Sequence, residues 1–119
     1  MESTDDMAQR YAGTYVSDRC KVEITAMEKN CVMIKVLWSS SASERTEWTM
    51  SGKFDENANY VTYSDCMKKN LTYNKFGYLN STEDLYVDGR GVFIFNEEGM
   101  IWQDLTENIA DGMHFTKAI

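Results

Sequence analysis

The chain contains no proline, one histidine and no apolar run near the roughly 18 residues that a membrane-spanning helix needs. Without proline it has no polyproline linker and no PxxP ligand. The single histidine, His114, is the only candidate base for a serine or cysteine triad, and no G-x-S-x-G nucleophile motif is present. The sequence therefore carries no catalytic signature, and we expect a protein that is not an enzyme.

Basic residues are also few. The chain has 12 lysines and arginines against 19 aspartates and glutamates, which gives a formal net charge of −7. An acidic chain repels the phosphate backbone of nucleic acids and anionic membrane surfaces. We therefore expect no nucleic-acid partner.

The cysteines follow neither a disulfide nor a metal pattern. Because Cys20, Cys31 and Cys66 are odd in number, at least one thiol is free, and we predict that all three are reduced. The chain has no C-x-x-C or H-x-x-x-H spacing of the kind that zinc ligands show, so we expect no zinc site. We predict that the side chain of His114 points outward. The stretch "DENANY" at 55–60 begins like a calcium loop but lacks the required later glycine and glutamate, so it predicts a hairpin turn.

Apolar residues alternate with period two, which is typical of β-strands, and turn residues interrupt the pattern at short intervals. The pattern predicts strands at 13–17, 20–27, 31–38, 44–55, 60–74, 82–87, 92–96, 100–105 and 113–118. The segment 60–74 is either one long bent strand or two, and "DGRG" at 88–91 predicts a hairpin. We therefore predict an all-β, antiparallel, up-and-down β-barrel of about eight to ten short strands, with a two-sheet β-sandwich as the alternative.

The stretch "WSSSASERTEWTMSGKFD" (38–55) predicts a corner of this barrel. Small residues suit a tight connection between two strands whose inward faces carry Trp38 and Trp48 as cross-strand neighbours. Alternation places one set of side chains inside and the other outside. The predicted inward set is Trp48, Met50 and Phe54, and the predicted outward set is Thr49, Ser51 and Lys53.

The opening "MESTDDMAQR" is polar and acidic, the opposite of a secretory signal peptide. It predicts a polar tether over residues 1–10, ahead of a single β-barrel domain at 11–119. Two locations fit: a cytoplasmic protein, or a mature extracellular or cell-envelope domain without its leader. The tether favours the second.

An ordered series of motifs spans residues 12–117: "AGTY", "VLWSSSASERTEWTMSGKFD", "VTYSDCMK", "YVDGRGVF", "MIWQD" and "MHFTK". In this order and spacing the chain resembles an uncharacterised family of bacterial extracellular or lipoprotein β-barrel domains. More distantly, "GTYVSD" is similar to the first strand of streptavidin-like and lipocalin-like barrels, with Tyr15 where tryptophan is usual. The resemblance implies a barrel and a cell-envelope location. That family has no assigned activity, so the resemblance carries over no functional residue.

Two functions stay open at this point. The first, which we favour, is a non-catalytic accessory or interaction domain on the bacterial surface, with an envelope protein or glycan as partner. The second is a carrier of a small molecule or carbohydrate, with the ligand at one open end of the barrel. The residues predicted to line that ligand site are Trp38, Trp48, Tyr63 and Trp102. Internal volume separates the two, because a carrier needs a hollow interior. We expect no cofactor and no metal in either case.

Overall fold

The computed structural model describes residues 7–28, 30–41, 43–54 and 58–118. In this part of the chain one short helix precedes eight strands, and each strand runs antiparallel to its neighbours. The elements are α1 Met7–Tyr11, β1 Gly13–Ser17, β2 Cys20–Ala26, β3 Cys31–Ser39, β4 Glu44–Phe54, β5 Tyr60–Tyr73, β6 Leu79–Phe95, β7 Gly99–Asp104 and β8 Asp111–Lys117.

The sheet closes on itself. Each strand pairs with the next in sequence, and β1 pairs with β8 through Tyr15–Lys117 and Val16–Thr116. Asp18 (φ 51°) and Asn30 (φ 58°) take the left-handed conformation that the tight turns after β1 and β2 require. The prediction of an up-and-down antiparallel barrel is confirmed, and the sandwich alternative is wrong.

The corner formed by β3 and β4 has the predicted alternation. The side chains of Trp48, Met50 and Phe54 are buried, whereas Ser51 and Lys53 are exposed and Thr49 is half-buried. On β8, His114 is exposed, as predicted, and it pairs across the sheet with Ile101.

Side chains fill the interior of the barrel. Phe93 stacks on Trp102 with 5.8 Å between ring centroids, and Trp48 meets Trp102 edge-on at 5.3 Å. The large side chains that are fully buried include Trp48, Trp102, Tyr15, Phe54, Phe93, Phe95, Ile34 and Met50. These rings are buried and contact one another across the interior, so the core of the eight-stranded barrel is packed with side chains.

Helix α1 covers one end of this core. The ring of Tyr11 stacks on Phe95 at 4.7 Å and lies 5.7 Å from Phe54. The Tyr15 hydroxyl donates a hydrogen bond of 2.8 Å to the Tyr11 carbonyl, and Ala8 is fully buried. Of the predicted tether at residues 1–10, residues 1–6 lie outside the described part of the chain, and residues 7–10 belong to this helix.

The hairpin predicted at 88–91 is wrong, because β6 runs through it without a turn. Both glycines are needed there for close packing against tyrosine rings. A Cβ on Gly91 would lie 2.5 Å from Cζ of Tyr63, and a Cβ on Gly89 would overlap the Tyr86 ring. The glycines let the tyrosine rings lie directly against β6. Because residues 79–95 form one strand, the barrel has eight strands.

Strand β5 is one long strand, bent where its pairing is irregular. The register with β4 shifts between Thr49 and Lys53, and the register with β6 shifts between Tyr63 and Cys66. The Asp65 carboxylate fills the gap on the β4 side, since it accepts hydrogen bonds from the Ser51 backbone N–H (3.1 Å) and hydroxyl (2.5 Å). Such bulges bend a strand and change which face its next residues occupy.

Beyond the bend, β5 and β6 run on towards one end of the molecule as an arm, which we define as residues 69–87; its residues 69–72 still pair with residues 44–47 of β4. Strand β7 pairs with β6 only over Gly91–Phe95, so among the described residues the earlier part of β6 has β5 as its single neighbour. Residues 74–85 are all exposed. The molecule measures 52 × 28 × 26 Å, so its long axis is nearly twice the other two.

Candidate functional site

The structure brings all four predicted ligand-site residues together. The centroids of Trp38 and Trp48 lie 6.1 Å apart, and Trp48 contacts Trp102 as described above. The Trp102 indole N–H donates a hydrogen bond of 3.0 Å to the Tyr63 hydroxyl. Trp38 pairs with Thr46 and Trp48 pairs with Val36, so the two tryptophans are diagonal neighbours and do not face each other directly.

Three of these four rings belong to the core. Trp48, Tyr63 and Trp102 are at most 5% exposed, whereas Trp38 is half-buried at the edge of the cluster. A molecule approaching this end of the barrel therefore reaches Trp38 and finds the other three rings packed against one another. The assignment of the four residues to a ligand site stays a prediction.

Beside this cluster lies a buried cation that the sequence pattern did not reveal. Lys68 is only 8% exposed, and its ammonium lies 5.3 Å from the Trp48 ring centroid and 5.8 Å from that of Tyr86. Its ion-pair partner is Glu107, with Nζ and Oε1 2.5 Å apart. A cation over two aromatic faces gains electrostatic attraction to both rings. Unbroken alternation from Val61 would put Lys68 outside, but the bulge after Tyr63 turns it inward.

The turn that carries Glu107 is built on a buried carboxylate. Asp104, which is 1% exposed, accepts backbone hydrogen bonds from Thr106 (3.0 Å), Glu107 (3.3 Å) and Ile109 (3.2 Å). An aspartate that bonds the backbone two to five residues ahead fixes a compact turn. The Glu107 side chain is 45% exposed, so it reaches from this turn across to Lys68 from the solvent side.

The indole N–H of Trp48 is the unpaired polar group at this end. Nε1 is buried and has no hydrogen-bond partner among the described residues. The neighbouring Tyr86 hydroxyl has its pKa raised, first by burial and then by the Cys66 and Asp104 side chains, and the Trp48 side chain opposes this rise.

The thiols have the character of core groups. Burial raises the pKa of Cys20 to about 12, and burial together with the Asp104 charge raises that of Cys66 to about 12. Both therefore stay protonated near neutral pH and are poor nucleophiles. Cys20, Cys31 and Cys66 are unbridged in the structure, and the described residues contain no cluster of three His, Cys, Asp or Glu side chains able to hold a metal ion.

The arm presents a different surface. Five large apolar side chains on it are exposed, and we call them the arm apolar set. They are Phe76 (73% exposed), Tyr78 (71%), Leu79 (55%), Leu85 (46%) and Val87 (59%). None of them belongs to the hydrophobic core cluster. Near the tip, the Lys75 ammonium lies 5.2 Å from the Phe76 ring centroid, and the Arg45 guanidinium lies 5.2 Å from that of Tyr73.

Comparison with known proteins finds no matching family model, no matching curated protein and no matching solved structure. Among the described residues there is no helix of the length and apolar character that crossing a membrane requires.

Proposed function

We propose that this chain is a non-catalytic binding domain of a bacterial extracellular or cell-envelope protein, and that it holds a partner protein through the arm. The observation that carries the proposal is the arm apolar set, five large side chains exposed on a segment that projects from a closed barrel. The bacterial envelope location rests on the motif series that the chain shares in pattern with such domains.

These five side chains are exposed and lie outside the core cluster of the barrel, so they contribute little to its packing. Burying one side chain of this size yields about 1.5–3 kcal/mol. Clustered exposed apolar side chains on a folded protein are typical of protein–protein interaction sites. A partner that covers the arm would bury apolar surface that folding leaves in water.

The backbone of the arm offers a second means of attachment. From Leu79 to Gly89, β6 pairs with β5 alone within the part of the chain that the structure describes, so one edge of this strand has no β-ladder there. An extended peptide can add to such an edge through main-chain hydrogen bonds, while pockets or patches beside it select side chains. The arm therefore combines an open strand edge with adjacent apolar groups.

Charge selects the kind of partner. Glu83, Asp84 and Asp88 are exposed along the same stretch of β6. Antiparallel pairing of two copies along this edge would bring carboxylates close to carboxylates, which is destabilising. A basic extended segment of another protein meets the opposite charge, so we propose that chemistry for the partner.

The base of the arm is fixed to the barrel. Lys68 lies on β5 directly before the arm, and its ion pair with Glu107 connects this part of β5 to the turn after β7. Tyr86 and Trp48 enclose the same ammonium from two sides. A binding element held in position loses less conformational entropy when a partner binds.

Selection from a phage-displayed library of random peptides tests this function directly. We expect the recovered peptides to be rich in Lys and Arg with interspersed apolar residues. Their affinity should fall at least about tenfold for the double variant Phe76→Ser/Leu85→Ser, which corresponds to about 1.4 kcal/mol. The matched control is Val16→Ser/Met33→Ser, which removes two apolar side chains that are 40% and 42% exposed on the barrel wall.

Equal affinity for the arm variant and the control variant would contradict the proposal, as would a selection that enriches no peptide. Amide hydrogen exchange of the complex supplies the second readout. We expect new protection along Leu79–Gly89, because strand addition would engage the backbone there.

A further inference from the structure

The outer wall of the barrel carries a groove of about 490 Å³. The groove lies on the outward faces of β5 and β6, and Leu105, the residue that follows β7, forms one side of it. Its lining includes Tyr60, Thr62, Ser64, Arg90, Val92 and Leu105. The volume falls within the range of about 300–1,000 Å³ that is usual for small-molecule sites.

Strand alternation explains which side chains line this groove. Tyr60, Thr62 and Ser64 are exposed on β5, whereas the intervening Val61 and Tyr63 are buried. Tyr60 and Ser64 are therefore separated by about 13 Å along one face of the strand. The outer row of β5 places an aromatic ring at one end and hydroxyl groups further along.

The row on β6 completes the groove. Val92 pairs with Thr62, and Gly91 pairs with Tyr63. Leu105, which is 56% exposed, closes the far side, and its N–H donates a hydrogen bond of 2.9 Å to the Arg90 carbonyl. The groove thus has an apolar side formed by Val92 and Leu105 that faces the hydroxyl groups of β5.

Arg90 has a fixed backbone and an uncommitted side chain. Its N–H donates a hydrogen bond of 2.7 Å to the Thr106 hydroxyl. Across the described residues, its guanidinium forms no ion pair and no hydrogen bond. The Asp65 carboxylate, close by in sequence to Ser64, is bound to Ser51. Because no acidic side chain among the described residues pairs with it, this guanidinium favours an anionic ligand in the groove.

We infer that this groove binds a small sugar acid. The guanidinium fork of Arg90 matches a carboxylate and binds it with two parallel hydrogen bonds. The Tyr60 ring offers a flat face for the apolar side of the sugar ring, and the Thr62 and Ser64 hydroxyls are positioned for its hydroxyl groups. This site is separate from the arm, and it stands whether or not the arm binds a protein.

The test is a titration of the ¹⁵N-labelled chain with D-glucuronate, followed by amide chemical shifts. We expect saturable shifts confined to residues 60–64, 90–92 and 105, with a dissociation constant of about 1 mM. Arg90→Gln should weaken binding about tenfold or more. Tyr60→Ala should weaken it severalfold, since it removes the ring and leaves the cation in place.

The matched control is Arg19→Gln, which makes the same charge change at another exposed arginine. It should leave glucuronate binding unchanged. Both arginines lie on the surface, so the amide spectrum of each variant is expected to show an intact fold.

Two further ligands separate the parts of the site. Neutral D-glucose and bare acetate should each bind at least about tenfold more weakly than glucuronate. Glucose binding as tightly would overturn the role of Arg90, and acetate binding as tightly would overturn the role of the sugar ring. An absence of shifts in the groove, or equal loss in Arg19→Gln and Arg90→Gln, would overturn the site itself.

Discussion

Phe95 in the barrel and Phe76 on the arm are the same residue type in opposite surroundings. Phe95 is fully buried and contacts the rings of Tyr11, Tyr15 and Phe54, whereas Phe76 is 73% exposed. The barrel buries its inward residues because every strand faces an opposite wall. Along most of the arm, β6 has no second strand beside it among the described residues, and the arm apolar set stays in water. Strand alternation alone therefore does not make a core; closure of the sheet does.

The largest effect on stability is expected for a substitution in the core of the barrel. Phe95→Ala should lower the free energy of unfolding by about 3–5 kcal/mol, because it removes a buried ring and leaves a cavity. Phe76→Ala should change it by no more than about 0.5 kcal/mol, as is usual for surface substitutions. Urea unfolding of the two variants measures both values. Similar losses for the two phenylalanines would mean that the arm is packed as tightly as the barrel.

A smaller effect is expected where the barrel passes into the arm. Gly91→Ala should lower the free energy of unfolding by about 1–3 kcal/mol, because the new methyl group would meet the Tyr63 ring. Gly91→Asn should be worse than Gly91→Ala, since its side chain is larger.

The order of these two variants distinguishes close packing from a turn. If Gly91 were needed for a left-handed backbone conformation, asparagine would be tolerated better than alanine. Thermal unfolding of both variants gives the order, and a more stable asparagine variant would contradict the packing explanation.

The same segment shows where the sequence pattern was sufficient and where it was not. The pattern on β1 to β4 predicted those strands to within a residue or so, because each strand there alternates without interruption and the turns are short. At "DGRG" the residue types that favour a hairpin were present for another reason, the close approach of Tyr63 and Tyr86. The sequence does not show whether a glycine is needed for its backbone freedom in a turn or for its lack of a side chain at a close contact.

The candidate site was predictable only in part. The four aromatic residues were correctly placed in one cluster, because two of them flank one connection and all have inward positions on their strands. Lys68 was missed because a bulge reverses the alternation before it. The sequence pattern did not predict the exposed arm. The length of one hairpin relative to its neighbours depends on strand pairing across the whole barrel, which a local pattern does not contain.

The ion pair at the base of the arm has an intermediate expected effect. Glu107→Gln should lower the free energy of unfolding by about 1–2 kcal/mol, because it leaves the nearly buried Lys68 ammonium without its charged partner. Lys68→Met should be close to neutral, since it removes the buried charge together with its need for a partner. Chemical denaturation of both variants tests this. A Lys68→Met variant less stable than Glu107→Gln would show that the two cation–ring contacts outweigh the cost of burying the charge.

The most gradual expected effect comes from pH. Cys20 and Cys66 have their pKa raised from 9.0 to about 12, and burial raises that of Tyr15 from 10.0 to about 12. Between these values the unfolded chain loses protons that the folded barrel keeps, so stability is complete below about pH 9 and falls as pH rises towards 12. Each group adds a slope of at most about 1.4 kcal/mol per pH unit. Denaturant midpoints that stay constant from pH 8 to 11 would contradict this. Separately, unfolding in denaturant should expose three titratable thiols.

Native-state hydrogen exchange, resolved by residue, tests the division between barrel and arm most directly. We predict that amides in residues 74–85 exchange through local openings that cost at most about 2 kcal/mol, because the surrounding side chains are exposed. Amides in β2, β3 and β7 should exchange only through global unfolding, at about 5–15 kcal/mol. If the amides of the arm exchange with the same free energy as those of β2 and β3, the arm belongs to the cooperative core and is not a projecting surface free to bind a partner.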